Sequence, residues 1–173
     1  MQTVLTIEAL NRMSQTAFVE TLGGVFEHSP WVAERAWPAR PFAGLEALHG
    51  AMVDAVRRAT PASLIALLRA HPDLAGKAAR AGTMTASSVA EQSSAGLDRL
   101  TDAEYERFQR LNTAYSERFG FPFIIAVRRH DKASILAAFE TRLGHSREQE
   151  IDAALAHVVD IARMRLDGLL GSA

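Results

Sequence analysis

The sequence TDAEYERFQRLNTAYSERFG, residues 101–120, has the pattern of a helix with both ends marked. Thr101 and Glu104 have the spacing of a capping box, in which each side chain accepts a hydrogen bond from the other's backbone N–H. Apolar side chains then recur at helical spacing, at positions 105, 108, 111, 115 and 119. Gly120 follows the last of them and is typical of a helix C-terminus. We therefore predict an amphipathic helix between Thr101 and Gly120.

Similar signals occur along the rest of the chain. Thr60-Pro61 reads as an N-cap followed by proline at the first helical position, Gly144 closes an apolar helical stretch, and Ser146 with Gln149 caps a last helix that runs to about Leu170. Two-residue alternation is almost absent, and the one strand-like run is FPFIIAV, residues 121–127. We predict an all-α, bundle-like fold of about seven to nine helices in one domain, residues 1–173. We expect residues 121–127 to be extended or irregular, and buried.

Composition excludes several classes of function. The chain has 173 residues, 48% of them apolar and 23% charged, which is ordinary for a soluble domain. A formal net charge of -1 provides no attraction to nucleic acid or to an anionic membrane, and we expect neither partner. With no cysteine, disulfides and thiolate chemistry are excluded. The six histidines lack HExxH-type spacing, so we predict no metal site.

No apolar run approaches the length of a membrane span. The N-terminus lacks a secretory pattern, and the last three residues are not a serine-lysine-leucine type address. We therefore expect a cytoplasmic protein.

The last helix carries an arginine on its apolar side. At about 100° per residue, one broad arc contains Ile151, Leu155, Val158, Ala162, Leu166 and Leu169. Arg165 falls inside this arc, and Arg163 falls near its edge. A buried guanidinium needs an anion or several acceptors. Arg165 therefore either forms an internal salt bridge, extends its head to water, or lines a pocket for an anionic ligand.

Two further residues have a structural and a functional interpretation. His71 follows a predicted helix that Pro72 stops, and it is either exposed at that helix terminus or part of a polar pocket. Glu91 lies three residues after Ser88, so it either completes a capping box or orients a histidine.

The run at residues 121–127 also has two interpretations. It is either a plug of core or a segment whose backbone is available to a ligand. Because Pro122 breaks helical geometry, amides from 123 to 127 can lack intrahelical partners and bind ligand oxygens.

Taken in order, several segments resemble the OHCU decarboxylase family (2-oxo-4-hydroxy-4-carboxy-5-ureidoimidazoline decarboxylase), which acts in urate breakdown. The resemblance covers nearly the whole chain. Its segments are FEHSPWVAERAW (26–37), RPF (40–42), HPDLAGK (71–77), SSVAEQ (87–92), FGFPFIIAV (119–127) and RMRL (163–166). Each is weakly specific alone, and their joint order is highly specific.

The resemblance implies roles for the residues already singled out. His71 matches the catalytic histidine, Glu91 its acidic partner, and Arg165 the family's arginine. The residues that match substrate-contacting positions are Pro72, Ser88, Gln92, Phe123, Ile124, Ile125, Ala126 and Val127.

The resemblance implies cofactor-independent decarboxylation of OHCU to (S)-allantoin by an all-α homodimer. Two alternatives stay open from the sequence. One is a helical interaction module without catalysis, and the other is a lyase that acts on a related ureido compound.

Overall fold

The computed structural model describes residues 4–76 and 82–171, so Lys77 of the HPDLAGK segment lies outside the described residues. The described residues form an all-α protein without β-strands, which confirms the predicted fold class. Their nine α-helices are α1 (Ile7–Arg12), α2 (Gln15–Leu22), α3 (Trp31–Ala36), α4 (Leu45–Arg57), α5 (Pro61–Arg69), α6 (Ala86–Ser94), α7 (Asp102–Phe119), α8 (Lys132–Leu143) and α9 (Arg147–Leu170). Two 3₁₀ turns, Trp37–Ala39 and Val127–Arg129, complete the elements.

The chain divides into two compact units. Unit 1 contains Met1–Ala70 and Val159–Ala173, and unit 2 contains His71–Val158. The prediction that residues 1–173 form one domain stays a prediction. In the described part of the chain, no helix has both the length and the apolarity that crossing a membrane requires.

Unit 1 is built around α3, which packs against α2 and α4. Its core is apolar, and Phe18 of α2 stacks on Phe42 with 6.1 Å between ring centroids. Burial of such side chains is the main source of the stability of this unit. Other fully buried members are Leu10, Leu22, Val32, Leu48 and Met52.

Unit 2 has an aromatic core around Tyr115 of α7. The Tyr115 ring contacts Phe119, Phe121, Phe123 and Phe139, with centroid distances between 4.6 and 6.2 Å. Helices α7 and α8 pack together over this cluster. Residues 121–126 are non-helical and mostly buried, as predicted, because their phenylalanines fill the space between the two helices.

The caps predicted for α5, α7, α8 and α9 are correct. Thr101 and Glu104 form the reciprocal capping box of α7 at 3.0 and 3.1 Å, and Ser146 and Gln149 do the same for α9. Helix α6 begins earlier than the Ser88-x-x-Glu91 pattern indicates. Its N-cap is Thr85, whose hydroxyl accepts a hydrogen bond from the Ser88 amide at 3.2 Å.

Candidate active site

His71 begins unit 2, immediately after the end of α5 and its C-cap residue Ala70. The residue is only 8% exposed. The interpretation of His71 as a histidine exposed at a helix terminus is therefore wrong. A buried imidazole needs polar partners. His71 does interact with its surroundings, through a hydrogen bond, an electrostatic interaction or a ring contact.

Three side-chain carboxamides hold the loop that follows His71. Gln92 of α6 accepts a hydrogen bond from the Ala75 amide at 2.9 Å and donates one to the Asp73 carbonyl at 3.3 Å. From α7, Asn112 donates to the Leu74 carbonyl and Gln109 donates to the Ala75 carbonyl, both at 2.9 Å. These bonds satisfy backbone groups that have no helix or sheet partner.

Backbone geometry in this loop is unusual at two neighbouring positions. Ala75 has φ +51°, in the left-handed region that side chains other than glycine rarely adopt. At Gly76, an added Cβ would lie 2.8 Å from Cβ of Asp73, closer than packed atoms approach. The loop therefore has a tight conformation that the three carboxamides maintain against strain.

Helix α6 presents the candidate residues Ser88, Glu91 and Gln92 within little more than one turn. Ser88 and Gln92 are buried, and Glu91 is half-buried. Because Thr85 caps the helix, Glu91 lies in its interior, and its interpretation as a capping residue is wrong. Glu91 and Ser88 both have polar or electrostatic partners. Helix α6 also packs against the 3₁₀ turn Val127–Arg129, which brings the end of segment 121–127 beside the helix that carries these residues.

Segment 121–127 has a specific arrangement of backbone hydrogen bonds. The Ala126 amide donates to Nδ1 of His157 at 3.0 Å, so this amide already has a partner. Within residues 4–76 and 82–171, the amides of Ile124 and Ile125 have no hydrogen-bond partner. Such amides suit the binding of a ligand oxygen.

Pro72 and Asp73 border His71 and are half-buried. Burial raises the pKa of the Asp73 carboxyl above its ordinary value of 3.8.

A cavity of about 300 Å³ adjoins the loop on the side of α6, and its lining includes Ala75, Met84, Val89, Gln92 and Tyr105. Over the described ranges, no three histidine or carboxylate side chains are grouped so that they could hold a metal ion.

Arg165 belongs to unit 1, where its Nη1 lies 2.8 Å from Oε2 of Glu27 and donates to the Gly24 carbonyl at 3.1 Å. Its side chain is 7% exposed and that of Glu27 is 1% exposed. The internal salt bridge considered from the sequence is therefore present. Arg163 is 36% exposed and pairs with Asp167 at 3.5 Å, so the helical wheel distinguished the two arginines correctly. A role of Arg165 toward a ligand stays a prediction.

Sequence reasoning missed two of the loop's three anchors, Gln109 and Asn112. Asn112 had a usable signal, because it lies four residues after Phe108 and three before Tyr115, on the buried face of α7. A polar residue on such a face needs a partner, and here the partner is the Leu74 carbonyl. Gln109 is beside that face and had no comparable signal.

A buried histidine on an anchored loop of an all-helical fold can serve as an internal acid or base. A family model described as OHCU decarboxylase matches residues 11–167. The chain therefore belongs to the OHCU decarboxylase family.

Relatives and solved structures agree with this assignment. The chain is 48% identical to the 2-oxo-4-hydroxy-4-carboxy-5-ureidoimidazoline decarboxylase of Haloferax volcanii, over 94% of each chain. It is 46% identical to the enzyme of the same name from Halalkalicoccus jeotgali, over 96% of this chain and 93% of the relative. A crystal structure of (S)-allantoin synthase matches with a TM-score of 0.77 and 35% identity. That match covers 96% of this chain and 54% of the other, so this chain spans about half its length.

Proposed function

We propose that this protein catalyses the cofactor-independent decarboxylation of OHCU to (S)-allantoin in urate degradation. The observation that carries the proposal is the burial of His71 on a loop that Gln92, Gln109 and Asn112 hold in place. Membership of the OHCU decarboxylase family supplies the substrate and the reaction.

Decarboxylation of OHCU requires few functional groups of the protein. When the substrate loses its carboxylate as CO2, an electron pair remains on the ring carbon, and the ring's own unsaturation delocalises it. The protein must place the carboxylate before it leaves and assist a proton transfer. After CO2 has left, the protein must deliver a proton to one face of the ring. Delivery to one face makes the product (S)-allantoin, whereas unassisted decay gives a racemate.

His71 is the proton-transfer group in this proposal, because an imidazole titrates near neutrality. Glu91 orients the imidazole and favours its charged form. Arg165 binds an anionic oxygen of the substrate, and to do so it must share its guanidinium with Glu27.

The remaining roles concern binding. The amides of Ile124 and Ile125 hold substrate oxygens, and Ser88, Gln92 and Pro72 line the site. The neighbouring residues Phe123, Ala126 and Val127 shape the same segment, with the Ala126 amide engaged by His157. We further propose that the protein is a cytoplasmic homodimer.

A stereochemical assay tests the proposal. Urate oxidase and hydroxyisourate hydrolase convert urate to fresh OHCU, the protein is added, and circular dichroism follows the product. Rapid growth of the (S)-allantoin signal is expected from the wild-type protein and from His130→Ala, whose Nδ1 lies 3.1 Å from the Ser134 hydroxyl. That signal should be lost in His71→Ala. Racemic product at the spontaneous rate would refute the proposed reaction.

A further inference from the structure

A buried ionic network lies beneath the segment at residues 123–125, entirely within unit 2. Glu150 of α9 is fully buried, and its Oε1 accepts hydrogen bonds from Arg142 Nε at 2.8 Å and from the Tyr115 hydroxyl at 2.5 Å. Its Oε2 lies 2.9 Å from Nδ1 of His145. Burial and the neighbouring carboxylate raise the pKa of the Tyr115 hydroxyl above its ordinary range, so this hydroxyl remains a donor.

Arg142 connects this network to the backbone of the segment. Its Nη1 donates to the Ile124 carbonyl at 2.7 Å, and its guanidinium carbon lies 4.4 Å from the centre of the Phe123 ring. Its other terminal nitrogen, Nη2, is buried without a hydrogen-bond partner among the described residues. Burying a guanidinium while one of its nitrogens lacks a hydrogen-bond partner costs free energy. Fold stability alone therefore does not explain the contact of Arg142 with the Ile124 carbonyl.

Peptide geometry supplies that explanation. In a planar trans peptide, the C=O of Ile124 and the N–H of Ile125 point in opposite directions. By holding the Ile124 carbonyl, Arg142 also directs the Ile125 amide away from the network. That amide has no hydrogen-bond partner among residues 4–76 and 82–171.

We propose that Arg142 is a positioning residue, held by Glu150, which orients the Ile125 amide toward an oxygen of the substrate. This inference rests on the proposed function and extends it to two residues that the family resemblance did not single out. Arg142 does not touch the substrate and acts through the peptide group that joins Ile124 to Ile125.

The decisive variant removes the network without leaving a buried charge. Arg142→Met, Glu150→Leu and Tyr115→Phe are combined, because apolar residues of similar size often replace a buried ion pair without loss of stability. Arg142→Lys is made in parallel, since a single ammonium retains the charge but lacks the guanidinium's fork of donors. Arg147→Met is the matched control, because Arg147 also donates to a backbone carbonyl, that of Phe119 at 3.2 Å, outside residues 123–125.

The readouts are kcat and KM for OHCU, together with Tm. We expect the triple variant to retain a Tm near that of the wild type and to lose about tenfold or more in kcat/KM, mainly through KM, the effect of losing a hydrogen bond to an anion. Arg142→Lys should show a similar loss, and Arg147→Met should have wild-type constants.

Wild-type kcat and KM in the folded triple variant, or in a folded Arg142→Lys when the triple variant fails to fold, would overturn the positioning role. A loss of activity that merely follows the loss of folded protein would overturn it as well. Failure of the proposed function is distinguishable, because the wild-type protein would then not accelerate OHCU decay at all.

Discussion

Replacing Arg165 or Arg163 by alanine should produce very different losses of stability, although the two residues are two positions apart on α9. Arg165→Ala leaves the carboxylate of Glu27 without its partner at 2.8 Å, in a side chain that is 1% exposed. Arg163→Ala removes only a half-exposed pair with Asp167 at 3.5 Å. The comparison therefore tests whether burial decides the cost of losing an arginine.

The magnitudes follow from those environments. Removing one partner of a buried ion pair costs about 3–5 kcal/mol, because the other charge stays buried after its main partner is lost. For a domain of this size each kcal/mol lowers Tm by roughly 2–4 °C, so Arg165→Ala should lower Tm by about 6–20 °C. An exposed helical pair contributes about 0.3–0.5 kcal/mol, so Arg163→Ala should change Tm by less than about 2 °C.

Differential scanning calorimetry measures the two Tm values, and kinetics well below both of them measure activity per folded molecule. We expect Arg165→Ala to reduce kcat/KM for OHCU far more than Arg163→Ala does. Equal Tm changes would refute the argument from burial. Equal kcat/KM values in folded protein would show that Arg165 has no role toward the substrate.

Three further predictions concern the loop that carries His71. His71→Ala should lower kcat by roughly 10²–10⁴-fold, the scale of a general acid or base, while circular dichroism shows an unchanged helical content; near-normal turnover would remove His71 from the mechanism. Asp73→Asn should stabilise the protein at pH 7 and not at pH 3. The folded protein holds the Asp73 proton more tightly than the unfolded chain does, so the wild type loses stability as pH rises above the ordinary value of 3.8; a Tm difference that does not depend on pH would contradict this. Gly76→Ala should cost about 1–3 kcal/mol by urea unfolding, because its Cβ would lie 2.8 Å from that of Asp73; Gly50→Ala, in α4 with open space around it, should instead stabilise by up to about 1 kcal/mol, and effects of the same sign at both positions would contradict the packing argument.

The features that were predicted correctly depend on residues that are close together in the chain. Caps and apolar spacing are properties of neighbouring residues, so the bounds of α7 and the start of α9 could be read from Thr101, Gly120 and Ser146. The burial of residues 121–127 also followed from local composition. The cap of α6 was misplaced because Ser88 and Thr85 both have the chemistry of an N-cap, and only the actual start of the helix distinguishes them.

What the sequence did not predict depends on contacts between distant residues. Arg142 and Glu150 look like ordinary helix-surface charges until folding buries both of them against Tyr115. In the same way, nothing near Gln109 in the chain indicates that it holds the Ala75 carbonyl, 34 residues earlier. The candidate site residues were therefore identified from the family resemblance and from polar residues at apolar positions. The residues that hold them in place could be identified only from the structure.

The three carboxamides that anchor the His71 loop carry no charge. Dissolved salt screens interactions between charged groups and has little effect on buried amide hydrogen bonds. The position of His71 relative to α6 and α7 should therefore be the same in dilute and in concentrated electrolyte. Consequently, an ionic-strength dependence of the reaction would report on the capture of an anionic substrate and on the proposed interaction of Glu91 with His71, and the position of the loop would contribute nothing to it.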